Sequence, residues 1–361
     1  MKVLVIPPSY FDENRTVGGG ERYALEYAKA LSQLTEASLG LFHTNPKSAQ
    51  PASLERCFRV RHLRNTNIFP ATLGTIRDIS RFDVVHAMIF PSPLTDLVLG
   101  IAMVTRIKVV LTDIGGGIPS ISTRVSKLSQ RLDINRRAAG LAHLSQYAAI
   151  PYGNWRLPQT VLYGGISDES ALPPDAQPGG YALFVGRLLP HKGVLELIRA
   201  VSADIPLRVV GRVYDDAYFH SLKSAAEGKR VSFFTSADDD ELNNHYRSAS
   251  VVIQPSLPTS STTFDRSELL GLVALEGMHW GKPVIVTNTA SLPELMIDGQ
   301  TGTIVPADDA TALNEAISKY VCSPELSRKV GLQARSHAVK HYCWSTAATR
   351  GLAFYNSLKA A

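Results

Sequence analysis

"SELLGLVALEGMHWGKPVIV", residues 267–286, sets Glu268 and Glu276 eight positions apart in an otherwise apolar run. A buried carboxylate costs several kcal/mol unless a partner holds it. Gly271 reads as a helix start, and Gly281 followed by Pro283 as its stop. Glu268 then lies in the loop before the helix and Glu276 inside it. The leading N–H groups of Gly271, Leu272 and Val273 form an anion site at that helix N-terminus. A phosphate there has a carboxylate on either side, and carboxylates accept well from hydroxyls. The pattern asks for a diphosphate flanked by two polyols, which is the layout of a nucleotide sugar.

Outward from this segment, apolar strands alternate with amphipathic helical patterns, as in parallel sheets covered on both faces. "KVLVI", the helix "GERYALEYAKALSQL", "FDVVHAMIF" and "KVVLT" form a first series. "GYALFVG", "LRVVG", "VSFF", "VVIQPS" and "KPVIVT" form a second. Between them "SDESALPPDAQPGG" (167–180) has the Pro, Gly and Asp content of a linker. The expectation is an α/β chain of two doubly wound domains, 1–167 and 168–341, facing across a cleft. Ligands of such sheets bind at the carboxyl ends of strands.

The 361 residues suit two domains, and 45% hydrophobic with 19% charged residues is globular composition. Three widely spaced cysteines, Cys57, Cys322 and Cys343, argue against a disulfide framework or zinc cluster and for a reducing compartment. "MKVLVIPPSY" reads as a first strand rather than a signal peptide, and "LVLGIAMV" (97–104) is too short to span a bilayer. The expected location is cytoplasmic, with peripheral contact at the inner membrane face left open. Residues 1–167 carry 19 Lys and Arg against 11 Asp and Glu, while the remainder carry 18 against 21. A basic first half suits an anionic partner.

Longer stretches resemble a known family. "ELLGLVALEGMHWGKPVIVTNTASLPELMIDGQTGTIVP" resembles the donor-site signature of the GT4 retaining glycosyltransferases, which have the GT-B fold of two Rossmann-like domains. Glu268 and Glu276 match its paired-glutamate motif. "FVGRLLPHKGVLELIRAV" resembles its arginine–lysine motif, which implies Arg187 and Lys192 on the donor diphosphate. "GGGERYALEYAKAL" is similar to its first glycine-rich turn, with Gly20 where Ala is usual, and "VLYGGI" to the segment before the linker. "HYCWSTAATRGLAFYNSLK" looks like a final helix, about 342–361, that returns to the N-terminal domain. The resemblance covers nearly the whole chain, loosely over 40–160.

Each residue also has a plainer reading. Arg187 and Lys192 are otherwise solvated loop cations, Glu276 a surface carboxylate, and Gly18, Gly19 and Gly20 a flexible turn rather than an anion-binding loop. His86 is a candidate reacting group or a core histidine with satisfied hydrogen bonds. The family often has two histidines here, and Met88 replaces the second. Asp113 stands where the family commonly has His near the transferred sugar; the plain reading is a turn aspartate. Asp238, Asp239 and Asp240 read as the first turn of a helix rather than a metal site. "LPTSSTTFDRS" (257–267) lengthens the loop before Glu268 beyond the family's usual span.

The expectation is a retaining hexosyltransferase that moves a sugar from a nucleoside diphosphate to a saccharide, lipid-linked or small-molecule hydroxyl in glycoconjugate biosynthesis. Arg187, Lys192, Glu268, His86 and Asp113 are its candidate reacting groups. Gly18, Gly19, Gly20, Phe234, Thr235, Gly271, Leu272, Val273 and Glu276 are its candidate binding groups, the base being read by backbone near Phe234 and Thr235. UDP is the expected nucleotide, without metal, cofactor or nucleic-acid partner. The alternatives are a nucleotide-sugar epimerase, a sugar phosphorylase or a silent docking relative. Residues 120–137, "SISTRVSKLSQRLDINRR", put Ile121, Val125, Leu128 and Leu132 on one helical stripe beside five cations, which suits an anionic membrane or the protein's own sheet.

Overall fold

The computed structural model describes residues 1–8, 19–43, 60–64, 73–90, 92–114, 134–167, 178–258 and 268–360. Gly18, Cys57 and most of 120–137 lie outside these, as do 259–267. The chain divides into two compact units, Met1–Gly164 with Trp344–Ala361, and Gly165–Cys343.

The first unit holds a parallel sheet of β1 (Lys2–Ile6), β2 (Glu36–His43), β3 (Val60–Arg64), β4 (Val84–Ala87), β5 (Lys108–Leu111), β6 (Gly140–His143) and β7 (Gln159–Val161). Its order is β3-β2-β1-β4-β5-β6-β7, so the winding reverses between β1 and β4. Every residue of β4 and β6 is buried, His86 and His143 included, as in a parallel sheet covered on both faces. The helix Gly19–Ser32 buries Tyr23, Ala24, Tyr27, Ala28 and Leu31, one stripe at helical spacing. Against it lies the helix Trp344–Ala360. Tyr27 and Tyr355 share a hydroxyl hydrogen bond of 2.7 Å, and a side chain at Gly351 would meet the Tyr27 hydroxyl at 1.8 Å. Of the basic stretch, the described part is a 3-10 turn, Ile134–Arg137.

The second unit holds β8 (Ala182–Val185), β9 (Leu207–Val210), β10 (Val231–Phe234), β11 (Val251–Gln254), β12 (Val284–Thr287) and β13 (Gly302–Val305). Their order is β10-β9-β8-β11-β12-β13, again parallel, with the reversal between β8 and β11. Phe184, Leu197, Ile198, Leu222, Ile253, Ile285 and Tyr320 pack one face of this sheet. Asp238 caps the helix Asp239–Ser248 in a capping box with Glu241, so the aspartate run has a helix-starting job.

At the reversal, successive strands depart in opposite directions and leave a crevice at their carboxyl ends. Two loops meet there. Leu257 N–H donates to His191 O at 3.0 Å, and Gly193, at φ +69°, sits where a Cβ would lie 1.9 Å from Pro255 O. Only glycine fits, because both the backbone angle and the contact exclude a side chain. Gly228 has a similar φ of +73° but open space around it. Gly228→Ala should therefore cost about 1 kcal/mol for the left-handed backbone alone, and Gly193→Ala at least about twice that. Urea denaturation measures both, and equal losses would contradict the close approach.

Candidate active site

Strand β8 ends at Val185, and Arg187 follows it, exposed, with its guanidinium carbon 5.9 Å from the centre of the Tyr214 ring. Lys192 closes the short 3-10 turn Pro190–Lys192 that leads through Gly193 into the helix Val194–Ala200. Its ammonium is paired with the Glu268 carboxylate, and the two side chains keep 19% and 12% of their surface exposed. Ser256, just past β11, donates to the same carboxylate oxygen at 3.4 Å. The Glu268 backbone is itself pinned, its carbonyl accepting from Ser291 Oγ at 2.7 Å. Burial alone raises the Glu268 pKa. The charge of Lys192, the hydrogen bonds from Lys192 and Gln254 and the charge of His191 together outweigh this and hold the carboxyl below the usual range. It is an anion at neutral pH, an acceptor and not a proton donor.

The helix after it runs Leu272–His279, with Gly271 at the cap position (φ +83°) and Gly281 (φ +65°) just past its end. Gln254 supplies what glycine lacks as a cap, accepting from Ala274 N–H at 3.1 Å. Leu272 and Val273 precede this bond, at the end of the helix where N–H groups lack intrahelical partners. Glu276, on the second turn, accepts from Tyr246 OH at 2.7 Å. Tyr246 is 1% exposed, so this hydrogen bond fixes the direction of the carboxylate. The second unit thus gathers Arg187, Lys192, Glu268, Gly271, Leu272, Val273 and Glu276 at one sheet edge. Phe234 ends β10 and Thr235 follows it, two strands from β8.

Tyr246, Gln254 and Ser256 had no signal in the sequence. Each acts through a partner at least 12 residues away, Tyr246 on Glu276, Gln254 on Ala274 and Ser256 on Glu268.

In the first unit Gly19 and Gly20 open their helix, and a Cβ on Gly20 would be 2.5 Å from Ile114 Cγ2. Asp113 follows β5 and accepts from Tyr152 OH at 2.8 Å. His86 corrects one expectation. It is fully buried, its Nδ1 is 2.6 Å from Tyr355 OH and its Nε2 is 2.7 Å from Thr112 Oγ1. Both ring nitrogens are engaged inside the core, so His86 is a structural residue and not a reacting group. Its role is to join β4 to the helix Trp344–Ala360.

Residues 174–337 match the family described as glycosyl transferases group 1. The match falls within the second unit. D-inositol 3-phosphate glycosyltransferase of Corynebacterium glutamicum is 31% identical over 186 residues, 48% of this chain and 42% of that protein. GDP-mannose-dependent alpha-(1-6)-phosphatidylinositol monomannoside mannosyltransferase of Mycolicibacterium smegmatis is 30% identical over 176 residues, 46% and 45% of the two chains. The chain spans about half the length of the curated relatives it matches. Anabaena HepE, solved with UDP and glucose, superposes with a TM-score of 0.74 at 20% identity, covering 99% of this chain and 100% of that one. The likeness shows the fold, which is GT-B. No helix among the described residues is long and apolar enough to cross a membrane.

Burial pushes the His86 pKa down to about 3, below an unfolded value near 6.5. His86 should therefore contribute stability that is complete above about pH 6.5 and lost as pH falls toward 3. Its imidazole should show no NMR titration between pH 5 and 8; a midpoint near 6.5 would contradict the closed core.

Proposed function

We propose that the protein is a retaining glycosyltransferase that moves a sugar from a nucleoside diphosphate to an acceptor hydroxyl in glycoconjugate biosynthesis. The observation that carries this is the Lys192–Glu268 pair at the β8/β11 reversal, beside a helix N-terminus and Glu276. Lys192 and Arg187 take the diphosphate, Lys192 as a point charge and Arg187 as a planar fork. Leu272 and Val273 N–H groups add the helix dipole to the same phosphates. Glu276, aimed by Tyr246, accepts from the ribose hydroxyls, and Glu268 from those of the sugar. Gly18, Gly19 and Gly20, Asp113, and the backbone near Phe234 and Thr235 complete the assignment on sequence grounds.

In the step itself the acceptor oxygen bonds to the anomeric carbon on the face from which the diphosphate departs. The carbon–oxygen bond to the β-phosphate breaks, and the acceptor proton passes to the departing phosphate oxygen. Charge grows on that oxygen, so fixed cations and N–H dipoles lower the barrier and no covalent nucleophile is assigned. UDP is favoured as the nucleotide by the likeness to the UDP-bound Anabaena fold. The relatives' names favour a polyol acceptor of the inositol type, free or lipid-linked. An anionic membrane contact through 120–137 belongs to this reading on charge alone.

Product formation from nucleotide sugars and polyol acceptors, followed by mass spectrometry, tests the reading. Lys192→Gln keeps a donor for Glu268 but removes the charge, and should cut transfer about a hundredfold or more. Glu276→Ala should weaken binding of the free nucleotide about tenfold, whereas Glu268→Ala should lower transfer more than nucleotide affinity. An unchanged rate in Lys192→Gln would refute the assignment.

A further inference from the structure

Tyr214 lies just past β9 and leaves 52% of its surface exposed, unusual for a ring among the buried tyrosines of this chain. Its place is set by backbone. Past the sheet the chains leaving β8 and β9 go on pairing. Gly186 N–H donates to Val210 O at 3.0 Å, Leu188 N–H to Arg212 O at 3.1 Å, and Leu188 forms a parallel bridge with Val213. Side chains alternate along paired strands, so a register of Leu188 with Val213 puts Arg187, Arg212 and Tyr214 on one face. A Cβ on Gly211 would lie 1.7 Å from Gly186 O, which lets the two segments approach this closely. Arg187 rests with its guanidinium over the Tyr214 ring.

Phe234, the aromatic side chain nearest the expected base site, is committed elsewhere. Its ring is 4.3 Å from the His245 ring and 5.9 Å from the guanidinium of Arg208, which stacks on Tyr181 at 3.9 Å. Tyr214 stands one strand nearer the reversal, beside the cation assigned to the diphosphate, and keeps ring surface open to solvent.

We infer that Tyr214 is the stacking platform for the nucleobase of the donor, and that Arg187 leaves its ring for the diphosphate as the donor binds. The inference rests on the nucleotide-sugar reading above. Aromatic rings stack on any base, because every base presents a π-face. An exposed cation–π contact is weak, and a guanidinium gains more from a phosphate, to which it makes paired charged hydrogen bonds. Tyr214 therefore supplies affinity shared by uracil, guanine and adenine, and the choice of base falls to polar groups at the end of β10.

Calorimetric titration of the full chain with UDP, GDP, ADP and inorganic pyrophosphate separates the contributions. Tyr214→Ala should weaken the best-bound nucleotide about tenfold or more while leaving pyrophosphate within about twofold of wild type. Tyr214→Phe should keep both within about twofold. Nucleotide should quench the added emission of the Tyr214→Trp protein, and pyrophosphate should not. Equal weakening of nucleotide and pyrophosphate in Tyr214→Ala, or no change in either, would overturn the platform. A folded wild-type protein that binds none of the three nucleotides would overturn the donor reading itself, a result visible before any variant is made.

Discussion

The charge balance between Lys192 and Glu268 is the constraint on which the rest of the site depends. Both side chains are mostly removed from water, and neither is tolerable there alone, since breaking a buried pair strands an uncompensated charge. The surrounding backbone keeps them together. Gly193 admits the loop after β8 against Pro255, and Ser291 fixes the Glu268 carbonyl from the far side of the sheet edge. Such a pair is poor as a stabiliser and good as a receptor, because a ligand with its own negative charge can share the ammonium without exposing it.

That pair falls where the strand order reverses. Buried apolar residues commit most of β8, β11 and β12 to the sheet interior, and the polar chemistry sits at the last residues of these strands and just past them. Arg187, Ser256 and Asn288 all follow strand ends by one or two positions. Thr287 Oγ1 ties β12 to Ser256 O at 2.5 Å, so the loop that supports Glu268 is held from two neighbouring strands. Rigid strands thereby fix the functional loops, the general advantage of building a site at a sheet edge.

Much of this was legible in residue patterns because it is local. Gly271 and Gly281 bracket the helix Leu272–His279 by their backbone freedom, and the aspartates before Glu241 announce a capping box. The paired glutamates suggest a nucleotide-sugar donor by position, and for Glu268 the family resemblance adds most of the weight. Less was legible where partners are distant in sequence. Nothing around Tyr246 signals that it orients Glu276, and nothing around His86 shows that Tyr355, 269 residues later, takes one of its nitrogens. In the first unit, β2 (Glu36–His43) and β6 (Gly140–His143) carry no recognisable strand signal. They are strands because neighbours pair with them along their length, a tertiary effect that overrides weak local preference.

The central claim is that Lys192 and Arg187 receive a diphosphate at the β8/β11 edge. A crystal structure of the protein with UDP tests it most directly. The account predicts phosphate oxygens within about 3 Å of the Lys192 ammonium and the Arg187 guanidinium, with Glu276 on the ribose. UDP bound elsewhere, or bound with Lys192 still held by Glu268 alone, would contradict it.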